Sequence, residues 1–189
     1  MDSEPGRGRR IFHRFRHQLV RFLALVGLLT IVYHSCFHVS RMTTESMEPS
    51  LYGRTWKDGD RVLTEKVSYV FRQPRRWEII TYRREDGMQL MKRVLGLPGE
   101  RIKMLRGGRV FINGEEVEKP ADLESLQYFP FGNLVDEQEV DCGDGYFVVG
   151  DFSRDSDDSR FNGPVPPENL IGRAWYVYYP KEHRKFLNR

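Results

Sequence analysis

Two hydroxyl-bearing residues, Thr44 and Ser46, lie a few residues after a long apolar segment in this chain of 189 residues. A serine hydroxyl is a weak nucleophile at neutral pH and becomes reactive when a neighbouring base removes its proton. Histidine is the usual base. The five histidines all lie at residues 13–38 or at position 183, none beside a plausible nucleophile. The sequence therefore argues against a Ser-His-Asp triad.

Lys92 is the candidate base. It lies in a predicted strand with Leu90 and Val94 at its i±2 positions, so strand alternation places its amine on an apolar face. Arg93 has equivalent neighbours, and periodicity alone does not choose between the two residues. Chemistry does choose, because a guanidinium does not deprotonate in proteins whereas an ammonium can. For Lys92 to act near pH 7, its pKa must fall by roughly three units from about 10.4, which requires a dry site.

Acyl transfer to Ser46 also requires hydrogen-bond donors for the oxyanion of the tetrahedral intermediate. Thr44 lies two residues before Ser46, so its hydroxyl and the backbone N–H of Ser46 are the candidate donors. A serine and a lysine 46 residues apart carry little information by themselves. The interpretation therefore depends on the stretches that accompany them.

An acidic stretch near residue 150 has the spacing of a calcium-binding loop at its start. Asp151, Ser153 and Asp155 occupy positions 1, 3 and 5 of the EF-hand pattern. The pattern then fails, because Ser156 replaces the obligatory Gly at position 6 and Asn162 replaces Glu at position 12. We therefore predict no metal and no other cofactor.

The elements that position these residues are predicted to be mostly strands. Aromatic residues make up 13% of the chain, and Val and Ile are frequent after residue 60, which favours strands over helices. Asn113-Gly114 between two short strands is typical of a type I′ hairpin. Residues 119–140 are polar and irregular, and we interpret them as an inserted loop or small cap. The predicted strands cover residues 60–64, 77–82, 89–95, 109–112, 115–117, 146–149 and 171–179.

The N-terminal region has the composition of a membrane anchor. Residues 22–40 contain no Asp, Glu, Lys or Arg, and as a helix they would span about 28 Å of a bilayer core roughly 30 Å thick. The formal charge is +4 for residues 1–21 and −1 for the remainder. This pattern predicts a cytoplasmic N-terminus and an extracytoplasmic domain. The nearly neutral remainder argues against nucleic-acid binding.

Three other interpretations of the apolar segment were weighed. A cleaved signal peptide shares the basic and apolar regions, but no small-x-small cleavage site follows Tyr33. Lipid modification of Cys36 is disfavoured by Tyr33 and His34 before it. A core helix of a soluble protein does not explain the arginines that precede it. Cys36 and Cys142 are not predicted to pair, so the domain must rely on its own core.

Four stretches, in order, resemble the sequence boxes of type I signal peptidases, the membrane-anchored Ser-Lys proteases of bacteria and of the mitochondrial inner membrane. They are Ser-Met-Glu-Pro-Ser-Leu at 46–51, Gly-Asp-Arg-Val at 59–62, Lys-Arg-Val-Leu-Gly-Leu-Pro-Gly-Glu at 92–100, and Gly-Asp to Asp-Ser-Arg at 150–160. The resemblance covers residues from about 20 to 180 and implies a mostly β, antiparallel-sheet signal-peptidase-like domain with one N-terminal transmembrane helix. The expected organisation is a basic arm at 1–21, an anchor at 22–40, a peptidase domain at 41–180 and a basic tail at 181–189.

The resemblance implies roles for the three residues at the reacting centre. Ser46 would be the nucleophile, Lys92 the general base and Thr44 a side-chain oxyanion donor, although many members have Ser at the position of Thr44. The relatives in the endoplasmic reticulum use His where this chain has Lys92. Lysine therefore indicates the bacterial and organellar branch.

The last stretch would support this centre. By the resemblance, Ser156 would position the Lys92 amine, and Asp158 and Arg160 would form a structural ion pair behind the site. The chain departs from the family pattern at residues 152–153, where Phe-Ser replaces the usual Asn-Arg. Trp-Glu also replaces Gly-Asp before the strand that contains Ile79.

The function that the resemblance implies is removal of N-terminal signal peptides from translocated preproteins by a membrane-bound serine endopeptidase. The implied partners are preprotein signal peptides and the lipid bilayer. The expected location is the inner (plasma) membrane, crossed once with the N-terminus cytoplasmic, and the mitochondrial inner membrane is the alternative. The need for a partner subunit is left open.

Two other functions compete with catalysis of this kind. A relative that keeps the fold as a non-catalytic or partner-dependent scaffold subunit would not require intact Ser46 and Lys92. Self-cleaving repressors also use a Ser-Lys pair on a similar β fold. They carry a DNA-binding segment where this chain carries an anchor.

Overall fold

The computed structural model describes residues 6–187, which form two compact units divided after Cys36. Residues 1–5 of the predicted basic arm and residues 188–189 of the predicted tail lie outside the described residues. The first unit is a single helix, α1 (Gly6–Cys36). The second unit, from Phe37 onward, contains all of the predicted site residues.

Helix α1 is long and apolar enough over Phe12–Cys36 to cross a membrane. The predicted anchor extended to residue 40, but the helix ends at Cys36 and residues 37–41 form a strand. The sequence did not mark this boundary because no charged residue occurs between positions 22 and 40. Pairing of Phe37 with Glu65 in the next strand determines where the helix ends.

The described part of the second unit is built from short strands joined by turns and by two single-turn helices, α2 (Ser68–Phe71) and α3 (Ser159–Asn162). The strands are, in chain order, β1 (Phe37–Arg41), β2 (Arg61–Glu65), β3 (Ile79–Arg83), β4 (Gln89–Gly96), β5 (Arg101–Met104), β6 (Val110–Ile112), β7 (Glu115–Glu116), β8 (Glu139–Asp141), β9 (Phe147–Val149), β10 (Leu170–Tyr179) and β11 (Lys185–Phe186).

These strands form two sheets, and every strand pair in them is antiparallel. The larger sheet has the order β1-β2-β10-β3-β4-β9, with β11 added to β10, and the smaller has the order β7-β6-β5-β8. The prediction of a mostly β, antiparallel fold is therefore confirmed. Strand β4 lies between β3 and β9, with Lys92 opposite Ile80 and Arg93 opposite Val149. Both residues are thus held in the interior of the larger sheet.

The hairpin predicted at Asn113-Gly114 is present between β6 and β7. Asn113 has φ 52° and Gly114 has φ 85°, and two positive φ angles define the type I′ turn that this pair of residues favours. Strand β3 begins two residues later than predicted, because Trp77 has a left-handed φ of 73°.

Residues 119–140 form an ordered cap on the core. They contain 3₁₀ turns at Ala121–Leu123 and Gly132–Glu137, and their composition is polar overall. Their buried apolar side chains join the cluster that contains Leu95 and Phe147, which is why the segment is ordered despite its irregular backbone. These side chains are Leu123, Leu126, Tyr128 and Leu134.

The residues expected to form a basic tail pack on the domain as far as they are described. Strand β11 pairs with Tyr176 and Val177 of β10, and the His183 ring Nδ1 lies 2.6 Å from Asp60 Oδ1. Leu187 is buried among Met47 and other side chains of the cluster beneath Ser46. The end of the chain therefore contributes to the core that supports the nucleophile.

Replacement of Leu187 by alanine is expected to lower the free energy of unfolding by about 2–4 kcal/mol, because it removes buried methyl groups and leaves a cavity. Urea unfolding of the purified chain, followed by tryptophan fluorescence, measures the change. Val70→Ala, at an exposed apolar position, is the control and should have little effect. Equal stabilities of the two variants would show that the end of the chain does not support the core.

Candidate active site

Ser46 and Lys92 are in direct contact. Lys92 Nζ donates a hydrogen bond to Ser46 Oγ at 2.5 Å, across 46 residues of sequence. The two residues are 2% (Lys92) and 8% (Ser46) exposed. The structure therefore brings the predicted nucleophile and the predicted base together in a site shielded from water.

Ser46 lies in a 3₁₀ turn, Glu45–Met47. Met47 and Leu51 are fully buried in the core, and the backbone N–H of Leu51 donates to the Met47 carbonyl at 2.9 Å. The apolar residues of the stretch 46–51 thus anchor the turn, while Ser46 faces Lys92. Burial of Met47 and Leu51, which both follow Ser46 in the chain, explains why a short irregular segment can hold Ser46 in one place.

The loop after β9 closes on this turn from the other side. The Phe152 N–H donates to the Ser46 carbonyl at 3.1 Å. A side chain at Gly150 would lie 2.4 Å from that carbonyl and 2.2 Å from Ser156 Oγ. Only glycine permits so close an approach, which gives a physical reason for the Gly-Asp that begins this stretch.

Burial lowers the pKa of Lys92 from 10.5 to about 8. Asp158, Asp157 and Asp151 act in the opposite direction, because their charges favour the ammonium. Desolvation is the larger effect and favours the neutral amine. The amine can therefore accept a proton at mildly basic pH, as the sequence argument required.

Thr44 lies beside the nucleophile. Its Oγ1 is 3.1 Å from Ser46 Oγ, and either hydroxyl can donate. Thr44 precedes the turn in an extended conformation, so the two hydroxyls lie on the same side of the backbone. This position is consistent with the predicted role of Thr44 as a side-chain donor to the oxyanion.

Ser156 is placed differently from its expected contact. Its hydroxyl donates to Asp158 Oδ2 at 2.6 Å, and among the described residues it makes no hydrogen bond to Lys92. Asp158 Oδ2 also accepts the backbone N–H of Gly150 at 2.9 Å. Ser156 is therefore linked to the site through the Asp158 carboxylate.

Asp158 and Arg160 form an ion pair whose side chains are both 0% exposed. Arg160 Nε and Nη2 each donate to the carboxylate at 2.8 Å. Its remaining nitrogen, Nη1, donates to the Phe129 carbonyl at 3.0 Å and to the Ser153 carbonyl and Oγ at 2.7 and 2.8 Å. Ser153, one of the departures from the family pattern, is thus part of the network that holds Arg160.

Sequence reasoning missed a second buried ion pair on the opposite side of β4. Arg93 binds both oxygens of Asp151, at 2.7 and 2.6 Å, and donates to the Trp77 carbonyl at 2.7 Å. Tyr128 completes the group by donating to Asp151 Oδ1 at 3.0 Å. The strand alternation that placed Arg93 on an apolar face could have predicted such a pair, because a buried guanidinium requires a carboxylate partner.

The described part of the chain contains no group of three or more His, Cys, Asp or Glu side chains that could hold a metal ion. The chemistry of the site is instead that of a hydroxyl and an amine. A serine hydroxyl bonded to a desolvated lysine, with a second hydroxyl beside it, defines a serine hydrolase that uses a Ser-Lys dyad.

Comparison with known families agrees with this chemistry. The family described as "Signal peptidase, peptidase S26" matches residues 15–179. The chain belongs to this family of serine endopeptidases. The match covers α1 from residue 15, the 3₁₀ turn that contains Ser46 and the strand that contains Lys92.

Individual relatives carry the same description. The chain is 36% identical to a signal peptidase I of Leptolyngbya laminosa over 82% of its own length and 73% of the relative's. It is 31% identical to signal peptidase I V of Bacillus subtilis (strain 168), over 80% of its own length and 95% of the relative's. A solved structure of a signal peptidase I from Enterococcus faecalis V583 is 29% identical to the chain, with a TM-score of 0.44. The alignment covers 54% of this chain and 97% of that structure.

Proposed function

We propose that this chain removes signal peptides from translocated preproteins, with Ser46 as nucleophile and Lys92 as general base. The observation that carries the proposal is the 2.5 Å hydrogen bond between Lys92 Nζ and Ser46 Oγ in a buried site. Family membership supports the reaction class, and the relatives named above are signal peptidases. The intact dyad argues against the alternative of a non-catalytic scaffold subunit.

The reaction begins when Ser46 Oγ attacks the scissile carbonyl and its proton passes to the neutral Lys92 amine. The oxyanion receives hydrogen bonds from the Ser46 backbone N–H and the Thr44 hydroxyl. The Lys92 ammonium then protonates the leaving amine, and an acyl-enzyme ester remains on Ser46. Lys92 next removes a proton from the water that attacks the ester. The Lys92 ammonium then returns the proton to Ser46 Oγ, and the signal peptide leaves with a new C-terminal carboxyl group.

The substrate would bind as an extended segment beside the dyad. A cleft of about 450 Å³ lies between the β1 side of the domain, at Val39–Arg41 and Thr43, and the first half of β4, at Gln89–Met91. Strand β1 is an edge strand of the larger sheet, paired to β2. Strand edges bind extended peptides through backbone hydrogen bonds, while pockets select side chains.

The N-terminal unit supports the proposed membrane placement. The apolar helix over Phe12–Cys36 would act as the anchor, and the basic residues before it would keep the N-terminus in the cytoplasm. The peptidase domain would then lie on the extracytoplasmic side of the plasma membrane. Placement in the mitochondrial inner membrane is the alternative.

Cleavage of a test preprotein by the purified full chain in detergent is expected to rise with pH. The sign follows from the base, because only the neutral amine of Lys92 can accept the Ser46 proton. The rate should therefore increase through a midpoint near the Lys92 pKa of about 8 and level off above it. Rates measured from pH 6 to 10 test this expectation.

Ser46→Ala and Lys92→Arg are the matched variants, since each keeps the size of the side chain close to the original and removes one reacting function. Both should lose cleavage by about 10³-fold or more. Thr44→Ser keeps a hydroxyl and serves as a control that should retain activity. Cleavage by Lys92→Arg at the wild-type rate would refute Lys92 as the base, and an inactive wild-type chain would favour the scaffold alternative.

A further inference from the structure

Arg84 joins two segments that are far apart in the sequence. It lies in the turn between β3 and β4, where its backbone N–H donates to the Met88 carbonyl at 2.8 Å. Its guanidinium donates to Asp86 within the turn, with 2.6 Å between Nη2 and Oδ2. Through Nη1 it also binds Asp157, 73 residues away in the loop after β9. The turn is thereby tied to the loop that carries Ser156.

Asp157 lies between two buried residues of the active site. Ser156 and Asp158 are turned inward, whereas the Asp157 side chain is 61% exposed. One oxygen of Asp157 accepts a hydrogen bond from Asn162 Nδ2 at 2.5 Å, and the other binds Arg84. Both oxygens are thus partnered, so the carboxylate has a fixed position relative to its neighbours in the loop.

Three carboxylates act on the Lys92 ammonium, and each is paired with a different arginine. Burial lowers the pKa of Lys92, the three carboxylates raise it, and the Arg160 guanidinium lowers it. The pairs are Asp158 with Arg160, Asp151 with Arg93, and Asp157 with Arg84. The first two pairs are buried, and the third is the one that solvent reaches. The Arg160 guanidinium acts against these carboxylates at Lys92, and a guanidinium paired with a carboxylate reduces the effect of that negative charge on a nearby amine.

We propose that Arg84 and Asp157 are positioning residues for the Lys92 base. Their ion pair holds the loop that carries Ser156 and Asp158 against the β3–β4 turn. The Arg84 guanidinium also offsets the negative charge that Asp157 presents to the Lys92 amine. The proposal rests on the proposed function, in which Lys92 is the general base. It differs from a purely structural role, because the charges of this pair then set the pH at which the enzyme works.

The test is the pH profile of preprotein cleavage by the purified full chain from pH 6 to 10. Arg84→Gln leaves the charge of Asp157 without its partner, which stabilises the ammonium and should move the midpoint to higher pH. Asp157→Asn removes that charge and should move the midpoint to lower pH. The expected shifts are several tenths of a pH unit in low salt. They should shrink in molar salt, because exposed charges are screened.

Three further variants separate charge from structure. The double variant Arg84→Gln with Asp157→Asn removes both charges, so its midpoint should lie between those of the two single variants. Arg84→Lys keeps the charge and should restore the wild-type midpoint. Arg83→Gln removes the same charge from the adjacent residue without breaking the ion pair, and should leave the midpoint unchanged.

Two outcomes would overturn the proposal, and they are distinguishable. If Arg84→Gln and Asp157→Asn cleave more slowly but with the wild-type midpoint, the ion pair has only a structural role. If the wild-type chain cleaves nothing, or shows no rise in rate near pH 8, the proposed function fails and this inference fails with it. Opposite shifts in the two single variants would support it, since loss of folding alone cannot move a midpoint in both directions.

Discussion

Replacement of Lys92 by methionine is expected to abolish peptide cleavage and, at the same time, to stabilise the folded chain. Methionine has nearly the same length as lysine but no amine, so Ser46 would lose its base. The rate should fall by about 10³–10⁴-fold, the contribution of a well-placed general base. The gain in stability follows from burial, because the ammonium is held at 2% exposure.

The size and the pH dependence of this gain follow from the Lys92 pKa. The fall from 10.5 in the unfolded chain to about 8 in the folded one corresponds to about 3 kcal/mol. Below pH 8 the lysine is charged in both states, and the folded state carries the full cost of burying the charge. Between pH 8 and 10.5 the folded chain holds fewer protons than the unfolded one, so the stability of the wild type rises with pH. The advantage of the methionine variant should therefore be largest below pH 8 and disappear near pH 10.5.

Urea unfolding of wild type and Lys92→Met at pH 6, 8 and 10 measures the difference directly. Lys103→Met is the control, because it removes an ammonium that is only partly buried and pairs with Glu137. It should leave stability nearly unchanged at each pH. A Lys92→Met variant that is less stable than wild type at pH 6 would contradict the prediction that burial of the Lys92 ammonium destabilises the folded chain.

For Lys92 and Arg93, the sequence predicted burial of both side chains but not the partner of Arg93. Alternation placed both side chains on apolar faces but could not rank them, and only the chemistry of the amine identified the base. The structure shows that the two residues face opposite sides of β4 and that each has a partner, Ser46 or Asp151. The partner of Arg93 could not be predicted, because it depends on how a loop 58 residues away closes on the strand.

Element boundaries were predicted less well where composition does not change at the boundary. The segment before Arg41 carries no charge, so α1 and β1 look alike in sequence, and only the pairing of β1 with β2 separates them. The hairpin at Asn113-Gly114 was predicted correctly, since its signal is local and depends on backbone geometry alone. Features set by local turn geometry were therefore predicted correctly, whereas boundaries set by pairing with a distant strand were not.

The structure brings the predicted site residues together, but it does not reproduce every contact expected between them. The resemblance named Ser156 as a neighbour of the Lys92 amine, whereas the hydroxyl binds Asp158. The acceptor of a serine hydroxyl depends on the folded arrangement of the loop, and no sequence pattern specifies it. The contact between Asp157 and Arg84 was not predicted either. It depends on how the β3–β4 turn packs against the loop after β9, and the sequence does not specify that packing.

Replacement of Arg160 by methionine is expected to destabilise the domain by about 3–5 kcal/mol. The change leaves the Asp158 carboxylate charged and without its partner at 0% exposure, which costs far more than the ion pair itself contributes. The Phe129 and Ser153 carbonyls also lose their donor. Surviving enzyme should work at higher pH than wild type, because Arg160 normally lowers the pKa of Lys92.

A double variant separates the unpaired charge from lost packing. Asp158→Asn with Arg160→Met removes both charges and should recover part of the lost stability. Arg109→Met is the matched control, because the Arg109–Glu116 pair is exposed, with 3.6 Å between its charged atoms, and should lose less than about 1 kcal/mol. If the double variant were no more stable than Arg160→Met, the guanidinium would act mainly through its hydrogen bonds to the two carbonyls. Since the same loop carries Ser156, that result would make backbone tethering, and not charge compensation, the means by which Arg160 supports the dyad.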